Sequence, residues 1–396
     1  MAEPRVSTTA KLSLFWLAYF GGLGVFFPYF GLYLEQDLGL APSKVGLVLA
    51  ALPWIGLLAQ PSWGRFADRH GRRRQVLGLA LVATAVLYAL LGVWGGFAGA
   101  LLGTVALACF STSVVPMAMA VSLAGLGRNG SSRFGLVRVW GTFGFLGAVI
   151  AVPWLLDRFD GLGPWQGLGL IFPLTALCTL AAAPWIFTLP PSSGLTVRSG
   201  QGDTRRLLRH SPVPRLFLIA FLAHLFLQAP IQLFPLLVTD RGGDVSWIRE
   251  MWIYMLILEI PLVGFSGPSL RRIGARGLLF VGLVSEGLRW IATAYIHDFE
   301  IFRWIQLLHG IGVAGIMIGA PLYLEEAVHE RSRASAQSLL ATMTGLGTIL
   351  SVALGGWIFE RFGADVPYVL AGAGCLATAV AAVLILPSPW RPAEPE

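Results

Sequence analysis

Ionisable side chains stand inside otherwise apolar stretches of this chain, among them Arg138, Glu259, Glu286, Arg289 and His309. A charge at the centre of a hydrocarbon layer costs about 2.5–3.5 kcal/mol even on lenient insertion scales. Such groups therefore face protein or a water-filled cavity and mark candidate sites. Their chemistry divides in two. A guanidinium holds a carboxylate or a hydroxylated solute through its fork of N–H donors. A buried carboxylate or imidazole is suited to loading and releasing a proton near neutral pH.

Spacing adds neighbours to each. Arg138 has Thr142 and Phe145 at i+4 and i+7, while Gly141, Gly144 and Gly147 thin another face for close helix packing. Glu259 shares a face with Trp252, Met255 and Leu256. Glu286 and Arg289 stand at i, i+3 and can neutralise one another, and Arg289 is equally able to approach Glu259. His309 has Gln306 on its side. His224, Gln228 and Gln232 repeat at i, i+4, i+8, one polar stripe whose exposure to lipid would be costly, so it is expected to line a cavity. Near the N-terminus, Gly21, Gly22, Gly24 and Pro28 can bend a helix around a ligand, with Tyr29 and Tyr33 placed to stack on a ring. Packing, ion pairing or, for Arg138, snorkelling to the interface is the competing reading in each case.

Other chemistry finds no support. Gly310-x-Gly312-x-x-Gly315 spells a dinucleotide fingerprint but lies in an apolar helix with no preceding strand. No Walker A motif occurs, and Lys11 and Lys44, the two lysines, are not placed for Schiff-base chemistry. Cys109, Cys178 and Cys375 fit no metal spacing and read as packing residues. Asn129-Gly-Ser131 spells a glycosylation acceptor on what the charge pattern makes the cytoplasmic side. No cofactor, metal cluster or nucleophilic triad is expected.

The elements that must position these groups are membrane helices. Hydrophobic residues make up 56% of the 396 and charged residues only 12%, half the share of soluble domains. Apolar runs long enough for a ~30 Å core fall at 12–34, 45–64, 75–94, 97–123, 134–156 and 166–189. A second set falls at 214–238, 247–268, 277–296, 300–324, 334–359 and 366–386. The first run is too long for a signal-peptide core, contains Pro28 and lacks a cleavage site. With a cytoplasmic N-terminus, 20 of 28 Lys and Arg fall on cytoplasmic segments and eleven of 21 acids on external ones. This positive-inside bias explains the net charge of +7 without nucleic acid. The fold class expected is an all-α membrane protein of about twelve transmembrane helices in two pseudo-symmetric six-helix bundles.

Residues 190–213 form the one long polar interruption and read as a cytoplasmic linker between a bundle at 1–189 and another at 214–396. The halves echo each other. Gly64-Arg-Phe-Ala-Asp68-Arg69-His-Gly71-Arg72-Arg73 is answered, 203 residues on, by Gly267-Pro-Ser-Leu-Arg271-Arg272-Ile-Gly274-Ala-Arg276. Arg133 and Arg333 stand 200 apart. Parallel repeats of this kind belong to two-domain secondary transporters, with the site expected at the midplane between them.

The loop G-R-F-A-D-R-H-G-R-R-R (64–74) resembles the signature between helices 2 and 3 of the major facilitator superfamily. Its glycines suit a tight turn, and Asp68 can meet a helix N-terminus or a nearby Arg as a latch. The second copy carries Arg271 at that position. F-F-P-Y-F-G-L-Y-L (26–34) and Q-P-S-W-G (60–64) look like the oligosaccharide and lactose permease branch. F-G-L-V-R-V-W-G-T-F-G-F (134–145), L-E-I (258–260), L-R-W (288–290) and I-Q-L-L-H (305–309) resemble the phenylpropionate permeases beside it. The resemblance implies proton-coupled import, with Arg138 as a substrate contact and Arg289 and His309 in the coupling group. The chain departs from it at Met119, where relatives carry a carboxylate, and at Gly312, where sugar permeases carry Glu. It departs again at Gln306 in place of Lys, and at Leu225-Phe226-Leu227-Gln228 after His224. With Met119 in place of a partner carboxylate, Arg138 is expected to favour an anion.

These readings lead to an expected proton-coupled symporter importing a small organic anion such as an aromatic carboxylic acid. Arg138, Thr142, His224, Gln228, Gln232 and Tyr29 would bind the solute, and Glu259, Arg289, His309 and Glu286 would handle the proton. Gly64, Asp68, Arg69, Gly71 and Arg72 would gate. The alternative is a proton symporter of a neutral sugar or nucleoside. A drug antiporter is less favoured because 141–153 lacks the Gly-Pro pair in which such proteins resemble one another, and a non-transporting sensor stands last. The expected setting is a bacterial-type inner membrane, both termini cytoplasmic. The chain is taken as a monomer whose partners are solute, protons and lipid, with no nucleic acid.

Overall fold

The computed structural model describes residues 7–127, 130–159, 166–189, 212–329 and 332–387, with 130–133, 263–272 and 334 described by backbone alone. Eleven helices among the described residues are long and apolar enough to cross a membrane. Each coincides with an expected stretch. The remaining stretch, 247–268, falls in the first half of the 51-residue helix Val245–Tyr295. The linker assigned to 190–213 lies outside the described residues as far as 211, as does Asn129; the side chains of Arg133, Arg271 and Arg272 lie outside them too.

The helices gather into two compact units, Met1–Thr196 and Val197–Glu396. The first holds α1 (Thr8–Phe26), α2 (Phe30–Gln36), α3 (Pro42–His70), α4 (Arg73–Leu91), α5 (Gly96–Leu126), α6 (Gly130–Phe159) and α7 (Ile171–Phe187). The second holds α8 (Pro212–Gln232), α9 (Phe234–Asp240), α10 (Val245–Tyr295), α11 (Phe299–Ile305), α12 (Leu308–Val313), α13 (Gly319–Ala327), α14 (Arg333–Phe362) and α15 (Val366–Ile385). Helix is the form that satisfies every backbone group within its own segment in lipid. The packing scheme is the same in each unit. In the first, α1 packs on α6 and α7, and α4 on α5 and α7. In the second, α8 packs on α14 and α15, and α10 on α12 and α15. Leu58, Leu136, Leu177 and Leu384 point outward and are exposed, the inverse of a water-soluble surface.

The repeat seen in sequence reappears in the backbone. Gly71 ends α3 at φ +62, and Gly274, 203 residues on, breaks α10 at φ +71, ψ 170. Both conformations favour glycine, the second almost to exclusion. Gly64, expected at the turn, instead lies within α3. A second repeat was not read from sequence. Lys11 Nζ donates to Thr188 O at 3.1 Å and Arg74 Nη1 to Leu189 O, at the end of α7. Arg215 Nη1 donates to Ile385 O at 3.1 Å and Arg276 Nη2 to Val383 O at 2.7 Å, at the end of α15. Each pair places cations on the negative end of a helix dipole.

Candidate functional site

In the second unit, α10 and the helices after it bury a cluster of ionisable groups. Arg289 Nε donates to Glu286 Oε2 at 2.9 Å, with Nη2 2.8 Å from the same oxygen. Its Nη1 donates to Gln306 Oε1 at 2.8 Å. His309 Nδ1 lies 3.1 Å from Glu286 Oε1. Glu286 is 1% exposed, Arg289 and Gln306 0%, His309 7%. The guanidinium thus bridges a carboxylate and an amide, and the carboxylate bridges a guanidinium and an imidazole. The Glu286–His309 contact accommodates a proton on either atom.

Local sequence explains how these side chains converge. The stretch Phe299–Ala327 is interrupted at Gln306–Leu307, where α11 gives way to α12, and again by the π-helical turn Ala314–Ile318. Ser285 Oγ donates to Leu308 O at 2.9 Å beside the first break. Such departures in a membrane helix need side-chain partners and often mark functional positions. The glycines that mimic a dinucleotide motif are contact points. A Cβ at Gly310 would lie 2.8 Å from Glu259 N, and one at Gly312 would overlap the Glu286 carboxylate. One at Gly315 would meet Leu278 O at 2.7 Å.

Of the expected proton-handling residues, the structure joins Glu286, Arg289 and His309 directly. Glu259 is half-buried on the first half of α10, its backbone packed on Gly310 beside His309.

The polar stripe lies on α8. His224, Gln228 and Gln232 are all half-buried. His224 Nδ1 lies 3.0 Å from Ala220 O, a bond within its own helix. The amides of Gln228 and Gln232 hydrogen-bond no other described residue, which leaves both donors and acceptors for a solute or water.

In the first unit, Arg138 lies half-buried on α6 with its guanidinium 3.8 Å from the Phe20 ring centroid and 5.1 Å from that of Trp16. Two aromatic faces therefore take up part of its charge. Thr142 is half-buried one turn on. Gly144 packs against the backbone of Leu17, but Gly147 has nothing within 4 Å and is not a packing glycine. Tyr29 is fully buried, and its hydroxyl donates to Val149 O at 3.5 Å.

At the α3–α4 turn, Arg73 Nε donates to Asp68 Oδ1 at 2.6 Å. The ion-pair partner of Asp68 is thus an Arg of the same loop, while Arg69 and Arg72 are exposed.

Sequence reasoning missed Trp290 and Tyr368. Arg289 Cζ lies 3.6 Å from the Trp290 ring centroid, and Trp290 meets Tyr368 edge-on at 5.6 Å. Two aromatics on different apolar helices carry no spacing signal. Gly312 was noted only in a rejected dinucleotide pattern and as a missing Glu.

Residues 9–370 match the family described as "MFS_1 like family". A maltose permease of Geobacillus stearothermophilus is 28% identical over 389 residues, covering 97% of this chain and 95% of that protein. A putative nucleoside transporter, YegT, of Escherichia coli (strain K12) is 23% identical over 90% of this chain and 85% of its own. Among solved structures, the nucleoside transporter NupG superposes with a TM-score of 0.82 at 18% identity, over 96% of this chain and 99% of that one.

Proposed function

This chain belongs to the MFS_1-like family, and from that premise we propose that it is a proton-coupled symporter importing a neutral, hydroxylated solute, a sugar or a nucleoside. The family, the fold and the relatives are those of membrane transporters and not of enzymes. The observation that carries the coupling is the buried Glu286–Arg289–His309–Gln306 cluster. A buried carboxylate beside an imidazole offers a place to load a proton, and the guanidinium balances its charge when that proton is absent.

The solute reading departs from the anion expected of Arg138. That guanidinium rests on Phe20 and Trp16, and the groups with open hydrogen-bonding capacity are the amides of Gln228 and Gln232. Paired donors and acceptors without net charge suit hydroxyls and nucleobase edges better than a carboxylate. The names of the relatives, maltose permease and nucleoside transporter, support the same class and not the phenylpropionate branch. Within this reading the bundles 1–189 and 214–396, joined by 190–213, act as a monomer in an inner membrane with both termini cytoplasmic. The Asp68 loop with Gly64, Arg69, Gly71 and Arg72 gates the cytoplasmic side.

The test is uptake into proteoliposomes under an imposed proton gradient, offering maltose, nucleosides and aromatic acids in parallel. Accumulation of a sugar or nucleoside above equilibrium is expected. Accumulation of the acids alone would overturn the solute assignment.

A further inference from the structure

We infer that Tyr368 is the positioning residue through which the charge state of Glu286 acts on the solute-facing stretch of α8; the inference rests on the proton-coupled reading above. Pro230 has no N–H, and its ring opposes the carbonyl one turn back, so the α8 ladder fails there. Helix resumes as α9 at Phe234. Backbone groups freed inside a membrane unit need internal partners. Two buried side chains hydrogen-bond the backbone at this break. Ser351 Oγ accepts from Ala229 N–H at 2.8 Å, and Tyr368 Oη donates to Pro230 O at 3.2 Å. Gln228 and Gln232 flank this break, so its pinning sets where both amides point.

Tyr368 also touches the charge cluster through one intermediate. Its ring meets Trp290 at 5.6 Å and 63°, and Trp290 carries the Arg289 guanidinium 3.6 Å from its ring centroid. All three side chains are 0% exposed. One turn away the backbones of α10 and α15 are in contact, since a Cβ at Gly372 would lie 2.8 Å from Gly287 O. A stack so confined transmits displacement instead of absorbing it. At its far end the break has room to move: a cavity of about 190 Å³ is lined by Phe226, Ala229, Pro230, Ser351, Leu354 and Ala371.

The titratable groups facing Glu286 are Arg289 on its own helix, His309 on α12 and Cys375 on α15, with Glu259 on the first half of α10 beyond Gly310. A proton arriving on Glu286 makes it a neutral acid and removes the charge that holds Arg289 at 2.8–2.9 Å. The guanidinium then keeps Gln306 and the Trp290 face, and its shift passes to Tyr368 and Pro230. Linkage makes the effect reciprocal, so solute held at Gln228 and Gln232 alters the proton affinity of Glu286.

The experiment is solute affinity of the purified full chain at two pH values, with gradient-driven uptake alongside, for wild type and Tyr368→Phe. The substitution keeps the ring on Trp290 and removes only the bond to Pro230. Wild type is expected to change affinity with pH by about fivefold or more. Tyr368→Phe should bind at either pH with nearly the same affinity and should equilibrate solute without accumulating it. Trp290→Phe, tested separately, should lose the pH dependence in the same way. Wild-type pH dependence and accumulation in both variants would overturn the inference while leaving proton coupling intact. A wild type with neither property would overturn the coupled reading and this inference with it.

Discussion

The carboxylate of Glu286 fills the space that a side chain at Gly312 would need: a Cβ built there overlaps Oε1, Cγ and Cδ of Glu286. A group on α10 thus completes a site on α12. Gly312→Ala should push the carboxylate away from His309 and lower gradient-driven uptake by about tenfold to a hundredfold, the scale of a 1 Å misplacement. The exchange Glu286→Gly with Gly312→Glu returns a carboxylate to the same space from the other helix. It should recover more coupled uptake than either single change, measured in proteoliposomes.

Glu286→Gln keeps shape and hydrogen bonding but cannot carry a proton. Uphill accumulation should vanish while exchange of labelled for unlabelled solute persists. Glu259→Gln, run in parallel, separates the two carboxylates. If the second variant alone loses accumulation, the proton site moves to Glu259.

Arg289→Ala leaves Glu286 1% exposed without its cation. Breaking a buried pair from one side costs about 3–5 kcal/mol, whereas removing both partners costs far less. Thermal unfolding in detergent should therefore show Arg289→Ala well below wild type, with Arg289→Ala/Glu286→Ala recovering much of the loss. A double variant less stable than the single would contradict a pairing role.

Arg138→Lys tests the first unit. A planar guanidinium lies on Phe20, and an ammonium on a flexible stem does so less well. Loss of about 0.5–2 kcal/mol of that contact should weaken neutral-solute affinity by severalfold and leave pH dependence unchanged. Isothermal titration with the transported solute reads both.

The helices were legible because about twenty apolar residues between charged loops admit one structure in lipid. The cluster was half legible. Glu286, Arg289 and His309 announced themselves as charges where charge is costly, and i, i+3 spacing gave the ion pair. Sequence left Arg289 a choice between Glu286 and Glu259, because the choice depends on how α10 faces α12. Gly312 settles that facing, and a glycine records close approach without naming its neighbour. The surroundings of Arg138 were hidden for a related reason. Met119, in place of a carboxylate, was read as leaving the Arg138 charge without a neutralising partner, but Phe20 and Trp16 of α1 lie against that guanidinium, a tertiary contact no spacing reports. Gly147 and Tyr29 show the limit at single positions, where a residue type permits two roles.

The basic residues at the helix ends also impose an order of assembly. Lys11 precedes its acceptor, the Thr188 carbonyl, by 177 residues. At roughly 5–20 residues per second, synthesis takes about 9–35 s to supply it. Arg215 waits 170 residues for Ile385. Each half therefore lacks this contact until its own last helix has been made.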